Sequence, residues 1–101
     1  MVVDLRRGSA SFGEWEAFEL DDRNLRQLYC PIGFAHGFCV TSDVADVLYK
    51  VSSRFDPALE RGIAYDDPDL AIAWPALDLR VSDRDAGAPR LRDIMSELPF
   101  P

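Results

Sequence analysis

The chain is 101 residues long, enough for one small domain, and its 48% hydrophobic and 29% charged content excludes a wholly disordered protein. Its net charge of -7 argues against nucleic acid or an anionic membrane as partner, because the general field repels polyanions. No apolar run nears the roughly 20 residues of a membrane span, and Asp4 follows Met1-Val2-Val3 too soon for a signal peptide, so a cytoplasmic location is expected.

Val2 to Arg6 reads as a short strand ended by Gly8-Ser9, and Glu14 to Leu20 as a second, followed by the turn Asp21-Asp22-Arg23-Asn24. Arg26 to Cys30 gives a third strand, stopped by Pro31 and Gly33, and Phe38 to Thr41 a fourth. The clearest pattern is Val44 to Ser52. Ala45, Val47, Tyr49 and Val51 share one face and Asp46, Leu48, Lys50 and Ser52 the other, so the first face should look inward. Gly62 to Tyr65 is a sixth short strand before the turn Asp66-Asp67-Pro68-Asp69. The tail from about Ala88 to Glu97 predicts one helix, with Leu91, Ile94, Met95 and Leu98 at helical spacing.

Six short strands and one late helix predict an all-β fold, an antiparallel sandwich or barrel in a single domain, 1–101. Six strands leave a barrel open, and an open apolar edge is a pairing hazard. The sheet is therefore expected to belong to a larger barrel or to close with a partner. Cys30 and Cys39 stand too far apart for a redox or zinc motif and read as small core residues. With one histidine, His36, in the stretch "LYCPIGFAHGF", no metal site and no cofactor is expected. On the residues alone His36 is either a core histidine bonded to a carbonyl or a ligand contact beside flexible glycine backbone.

Five stretches in order, "VVDLRRGSASFGEWEAFEL", "NLRQLYCPIGFAHGFCV", "DVLYKVSSRFDPALERGI", "YDDPDLAIAWP" and "VSDRDAGAP", resemble the dTDP-4-dehydrorhamnose 3,5-epimerase family over essentially the whole chain. The resemblance implies a cupin-type jelly-roll barrel, here partial, with antiparallel strands and a short C-terminal helix. It also implies a metal-independent isomerase that works as a homodimer. The implied substrate is a dTDP-4-keto-6-deoxy-sugar, epimerised next to its C4 ketone for dTDP-L-rhamnose biosynthesis.

Such a reaction needs a base for the proton alpha to the ketone, stabilisation of the enolate oxygen, and an acid on the opposite face. The resemblance assigns the acid to Tyr49, in "VLYK"; a phenol of ordinary pKa, about 10, holds its proton at neutral pH. It assigns to Asp85, in "SDRDAGAP", the carboxylate that orients the base histidine. His36 is implied to bind the nucleotide-sugar near its diphosphate rather than to act as base. Arg84 and Glu60 match positions close to the substrate. Without the resemblance, Tyr49 reads as a core tyrosine, Asp85 as a loop or helix-cap residue, and Arg84 and Glu60 as solvated charges.

The family's base lies in a motif L-R-G-x-H, which does not occur in residues 1–101. The chain thus resembles the C-terminal half, or slightly more, of the family's usual length. It reads as a piece of an ordinary epimerase, as a short chain completed by another, or as a non-catalytic nucleotide-sugar-binding or structural cupin domain. A one-carbon epimerase of an antibiotic-sugar pathway fits the same residues.

Overall fold

A computed structural model describes residues 1–101 and shows a small, mostly-β fold with three antiparallel strands. β1 (Val2–Asp4) lies in the centre, flanked by β2 (Trp15–Glu16) and β3 (Phe34–His36). Val2 faces Glu16 on one side and His36 on the other, and Val3 faces Trp15 and Ala35. Two short helices follow late in the chain, α1 (Asp83–Ala86) and α2 (Leu91–Ile94), the latter running into a 3-10 turn at Met95–Glu97. No helix is long and apolar enough to cross a membrane.

β1 and β2 fall inside the two expected N-terminal strands, both shorter than the sequence pattern. β3 was not expected, because Pro31 and Gly33 read as a stop. Gly33 in fact starts the strand: its positive φ of 94° turns the chain into Phe34. A side chain there would meet the Arg6 stem at 2.6 Å, so this close approach also requires glycine. Arg26–Cys30, Phe38–Thr41, Val44–Ser52 and Gly62–Tyr65 do not form strands. Between Phe38 and Phe55 no backbone group bonds another, so an alternating pattern without a neighbour stays without a ladder.

The two ends of the chain share one core. Val3 and Leu5 pack with Leu70, Leu91 and Leu98, and Met1, Trp15, Ile63, Ile72, Ile94 and Phe100 close around them. Leu91, Ile94 and Leu98 occupy one side of the tail, as their spacing predicts, whereas Met95 turns outward and the expected single helix is a helical turn plus a 3-10 turn. Cys30 and Cys39 are only half-buried, outside the core in which they were expected, and both are free thiols.

Two buried carboxylates hold this arrangement. Asp4 accepts from Arg6 Nε at 3.0 Å, Arg6 Nη2 at 2.9 Å, Ser9 Oγ at 2.7 Å and Ser11 Oγ at 2.6 Å. The Arg6 guanidinium also lies over the Phe34 ring, 4.8 Å from its centre, tying the network to β3. Asp67 accepts from the Leu91 amide at 2.7 Å and from the Asp69 amide at 2.8 Å. It thereby caps α2 from a distant turn, since Arg90 at the helix start offers no side-chain bond. Arg92 adds a forked pair with Asp69, both contacts 2.9 Å. Asp67→Ala should lower unfolding free energy by about 1–3 kcal/mol, from the lost cap and an orphaned buried amide. Urea denaturation checks this; an unchanged midpoint would mean that packing alone docks the tail.

Candidate functional site

β1, β3, the loop 59–65, α1 and the C-terminal tail surround one open concavity of about 1610 Å³. Its floor includes Leu5, Leu70, Ile94 and Leu98 from the core, and its rim carries charged side chains from α1 and the loops. His36, Tyr49, Glu60, Arg84 and Asp85 all line it, although they come from separated parts of the sequence.

His36 ends β3, and the turn after it is fixed by both chain polarity and packing. The Met1 ammonium donates to the Gly37 carbonyl at 2.9 Å, and the Gly37 amide donates back to Met1 at 3.2 Å. A β-carbon on Gly37 would touch the Trp74 ring at 3.5 Å, so Trp74 packs against the backbone next to the histidine. Trp74 is held by its indole N–H on the Tyr65 carbonyl at 2.7 Å and by an edge contact with the Tyr65 ring. The His36 ring is exposed and makes no hydrogen bond within the chain, so it is not the core histidine that was one of the two readings. It lies 6.0 Å from the Tyr49 ring, tilted by 55°.

Tyr49 and Val51 line the concavity as their shared face suggested, but Val47 does not, and Tyr49 is 56% exposed rather than enclosed. The reason is again the missing ladder: nothing beside Val44–Ser52 holds alternate side chains to one face. Asp85 belongs to α1, whose start is capped by Ser82; the Asp85 amide donates to Ser82 Oγ at 3.2 Å. The Asp85 carboxylate accepts no hydrogen bond within the chain, so no imidazole meets it here. Arg84, beside it, reaches across to Glu60 at 3.6 Å, linking α1 to the 56–62 loop. Both are substantially exposed, and such a pair is exchangeable for a better anion at little cost.

The concavity also uses residues to which the sequence reading gave no role. Trp74 and Tyr65 line it as a joined aromatic pair, and Arg61 and Arg80 add positive charge to the lining. The "AIAWP" segment was the available signal: a tryptophan just before a proline, after an apolar run, is placed to pack rather than to be solvated. In chemical terms the lining offers aromatic faces, arginines for an anion, one imidazole, two phenols and several carboxylates, Asp85 among them. That set suits a ligand with a flat ring and an acidic linker.

A family model described as dTDP-4-dehydrorhamnose 3,5-epimerase matches residues 1–93. A dTDP-4-dehydrorhamnose 3,5-epimerase from Mycobacterium tuberculosis is 42% identical over 97 residues, covering 93% of this chain and 48% of that protein. The Pseudomonas aeruginosa protein of the same name is 49% identical over 78 residues, covering 77% and 43% respectively. A dTDP-4-dehydrorhamnose 3-epimerase from Streptomyces niveus is 47% identical over 88 residues, covering 87% and 42%. The chain spans about half the length of these curated relatives. No solved structure matches it.

Proposed function

Because the chain belongs to the dTDP-4-dehydrorhamnose 3,5-epimerase family, we propose that it carries the proton-donating part of an epimerase site for a dTDP-4-keto-6-deoxy-sugar, in dTDP-L-rhamnose biosynthesis. The observation that carries this reading is the convergence of His36, Tyr49, Glu60, Arg84 and Asp85 on one concavity. Residues 1–101 are taken as the C-terminal portion of a cupin-type jelly roll that works as a cytoplasmic homodimer.

In this reading a base removes the proton alpha to the C4 ketone, and the C–H electron pair moves into the enolate. The Tyr49 hydroxyl then gives its proton to the opposite face of that carbon, and the phenolate recovers a proton from water. Asp85 accepts the N–H of the base imidazole, fixes its tautomer and stabilises its protonated form. His36 is not that imidazole, since it makes no bond to Asp85; the base comes from polypeptide outside residues 1–101. Arg84 and His36 address the diphosphate, with Arg84 exchanging Glu60 for phosphate oxygens, and Glu60 is freed to accept from a sugar hydroxyl.

The test is a chimera in which this chain replaces the matched 97 residues of the M. tuberculosis relative. In D2O it should introduce deuterium at C3 and C5 of dTDP-4-keto-6-deoxy-glucose, and Asp85→Asn should slow this by about 10²-fold or more. Incorporation at C3 alone would indicate a one-carbon epimerase. A second reading, nucleotide-sugar binding without turnover, is favoured by the one observation that the only histidine does not meet Asp85. It predicts that dTDP raises the melting temperature while no deuterium enters.

A further inference from the structure

His36 ends β3, Arg84 and Asp85 sit in α1, and one series of contacts spans the space between them. A β-carbon on Gly37 would stand 3.5 Å from Cη2 of Trp74, so the six-membered end of that indole packs on the residue after His36. At its other end the indole N–H donates to the Tyr65 carbonyl at 2.7 Å, and the two rings meet edge-on, centres 6.5 Å apart. Next to Tyr65, the Ala64 amide donates to the Pro89 carbonyl at 2.8 Å, and a β-carbon on Gly62 would lie 3.9 Å from that of Ala88. The Ala88 amide in turn donates to the Asp85 carbonyl at 3.3 Å. Trp74 is thus the one side chain in this series that reaches from β3 to the 62–65 segment.

The backbone that carries Trp74 is itself fixed. Ala71, three residues earlier, has a φ of 50°, which is costly for a residue with a β-carbon and persists only where the surroundings impose it. Its amide donates to the Asp67 carbonyl at 3.0 Å, in the turn whose buried carboxylate caps α2. Pro75 disfavours a helical backbone at Trp74. Neither Trp74 nor Tyr65 belongs to the cluster of Val3, Leu5, Leu70, Leu91 and Leu98, so the core does not account for an aromatic of this size here.

We propose that Trp74 is a positioning residue. Wedged between β3 and the 62–65 segment, it sets where His36 stands relative to α1, so that the imidazole and the Arg84 guanidinium address one diphosphate. The spacing role stands on the contacts above, while its purpose rests on the epimerase-site reading. Both ends of the indole are engaged by the protein, so the residue acts through its neighbours. Spacing of this kind matters because a misplacement of about 1 Å from a remote substitution can cost about 10²-fold in rate.

The experiment compares the 101-residue chain with Trp74→Phe, which loses the indole N–H, and Trp74→Leu, which loses the reach to Gly37 as well. Hydrogen exchange at the Gly37 and Ala64 amides should quicken by about tenfold or more in Trp74→Leu and by less in Trp74→Phe. The Asp4 amide, bonded to the Glu14 carbonyl on the far side of the sheet, should exchange as in the wild type. His36 is the only histidine, so its imidazole Hε1 gives one unambiguous NMR resonance. Saturating dTDP should shift that resonance in the wild type. In Trp74→Leu the shift should fall to about half or less, because a diphosphate held by Arg84 no longer reaches the imidazole. Unchanged exchange at Gly37 and Ala64 overturns the proposal, as does an undiminished dTDP shift in Trp74→Leu. Equal acceleration at Asp4 in both variants also overturns it, by making Trp74 a general support of the fold. A wild-type resonance that dTDP does not move counts against His36 as a diphosphate contact, and the exchange rates then decide the spacing role by themselves.

Discussion

Tyr49→Phe in the chimera with the M. tuberculosis relative should lower epimerised product by about 10²–10⁴-fold, the usual weight of one positioned acid. The substitution keeps the ring and its contact with His36 and removes only the O–H. On the proposed assignment proton removal belongs to a different group, so the enolate should still form. The variant should therefore wash deuterium into the substrate with retention of configuration while product falls. This split separates a donor from a packing residue, which would change affinity and both proton steps together. Equal product from wild type and variant would remove Tyr49 from the chemistry.

The second large effect concerns stability. Asp4→Asn should lower the melting temperature at pH 7 by on the order of 10 °C. An amide cannot accept from both Arg6 nitrogens and both hydroxyls at once, and it turns N–H groups toward a guanidinium. In the wild type the Arg6 guanidinium holds the Asp4 carboxyl far below the usual carboxylate range, with Ser11 and Ser9 adding to it and burial opposing. A carboxyl with a depressed folded value contributes stability that is fully present above the unfolded value, about pH 3.9. That contribution is lost as pH falls through the folded value. Asp69, lowered by Arg92, adds a smaller contribution of the same sign. Wild-type stability should thus be level with respect to these groups from pH 7 to about 5 and decline below about pH 4. Asp4→Asn should flatten that acid decline. Melting curves from pH 7 to 2.5 test it, and parallel curves for the two proteins would show that Asp4 contributes by shape rather than charge.

How much of this was legible in the sequence depended on where each element finds its partner. β1 could be read because Val3 and Leu5 pack within the chain, and the tail because Leu91, Ile94 and Leu98 repeat at the spacing of one helical face. Val44–Ser52 has a better strand pattern than either, yet forms no strand. Alternation specifies a face to be buried and says nothing about whether the covering surface is present. β3 was hidden because glycine and proline ordinarily stop a strand, whereas Gly33 serves here as its entry. The four-residue α1 rests on one Ser82 cap and carries no periodicity to detect.

For the site, local pattern offered no role that could be separated from packing or solvation. Tyr49, Glu60, Arg84 and Asp85 are ordinary strand and surface residues by themselves, and only the family resemblance picked them out. Their convergence on one hollow is a property of how the chain is folded back, which spacing along the sequence does not encode.

That folding back has its own consequence. The core joins residues 3 and 5 to residues 91 and 98, and Arg7 Nε donates to the Phe100 carbonyl at 3.2 Å, so the two ends of the polypeptide are fastened to each other into a closed loop. Closing a loop of this length costs about 4 kcal/mol by its length dependence alone, and the tail must recover that before it adds any stability. Ile94, Leu98 and Phe100 of that tail also line the hollow. A ligand that touches those residues binds only the docked tail, so its binding should stabilise the closed loop against opening.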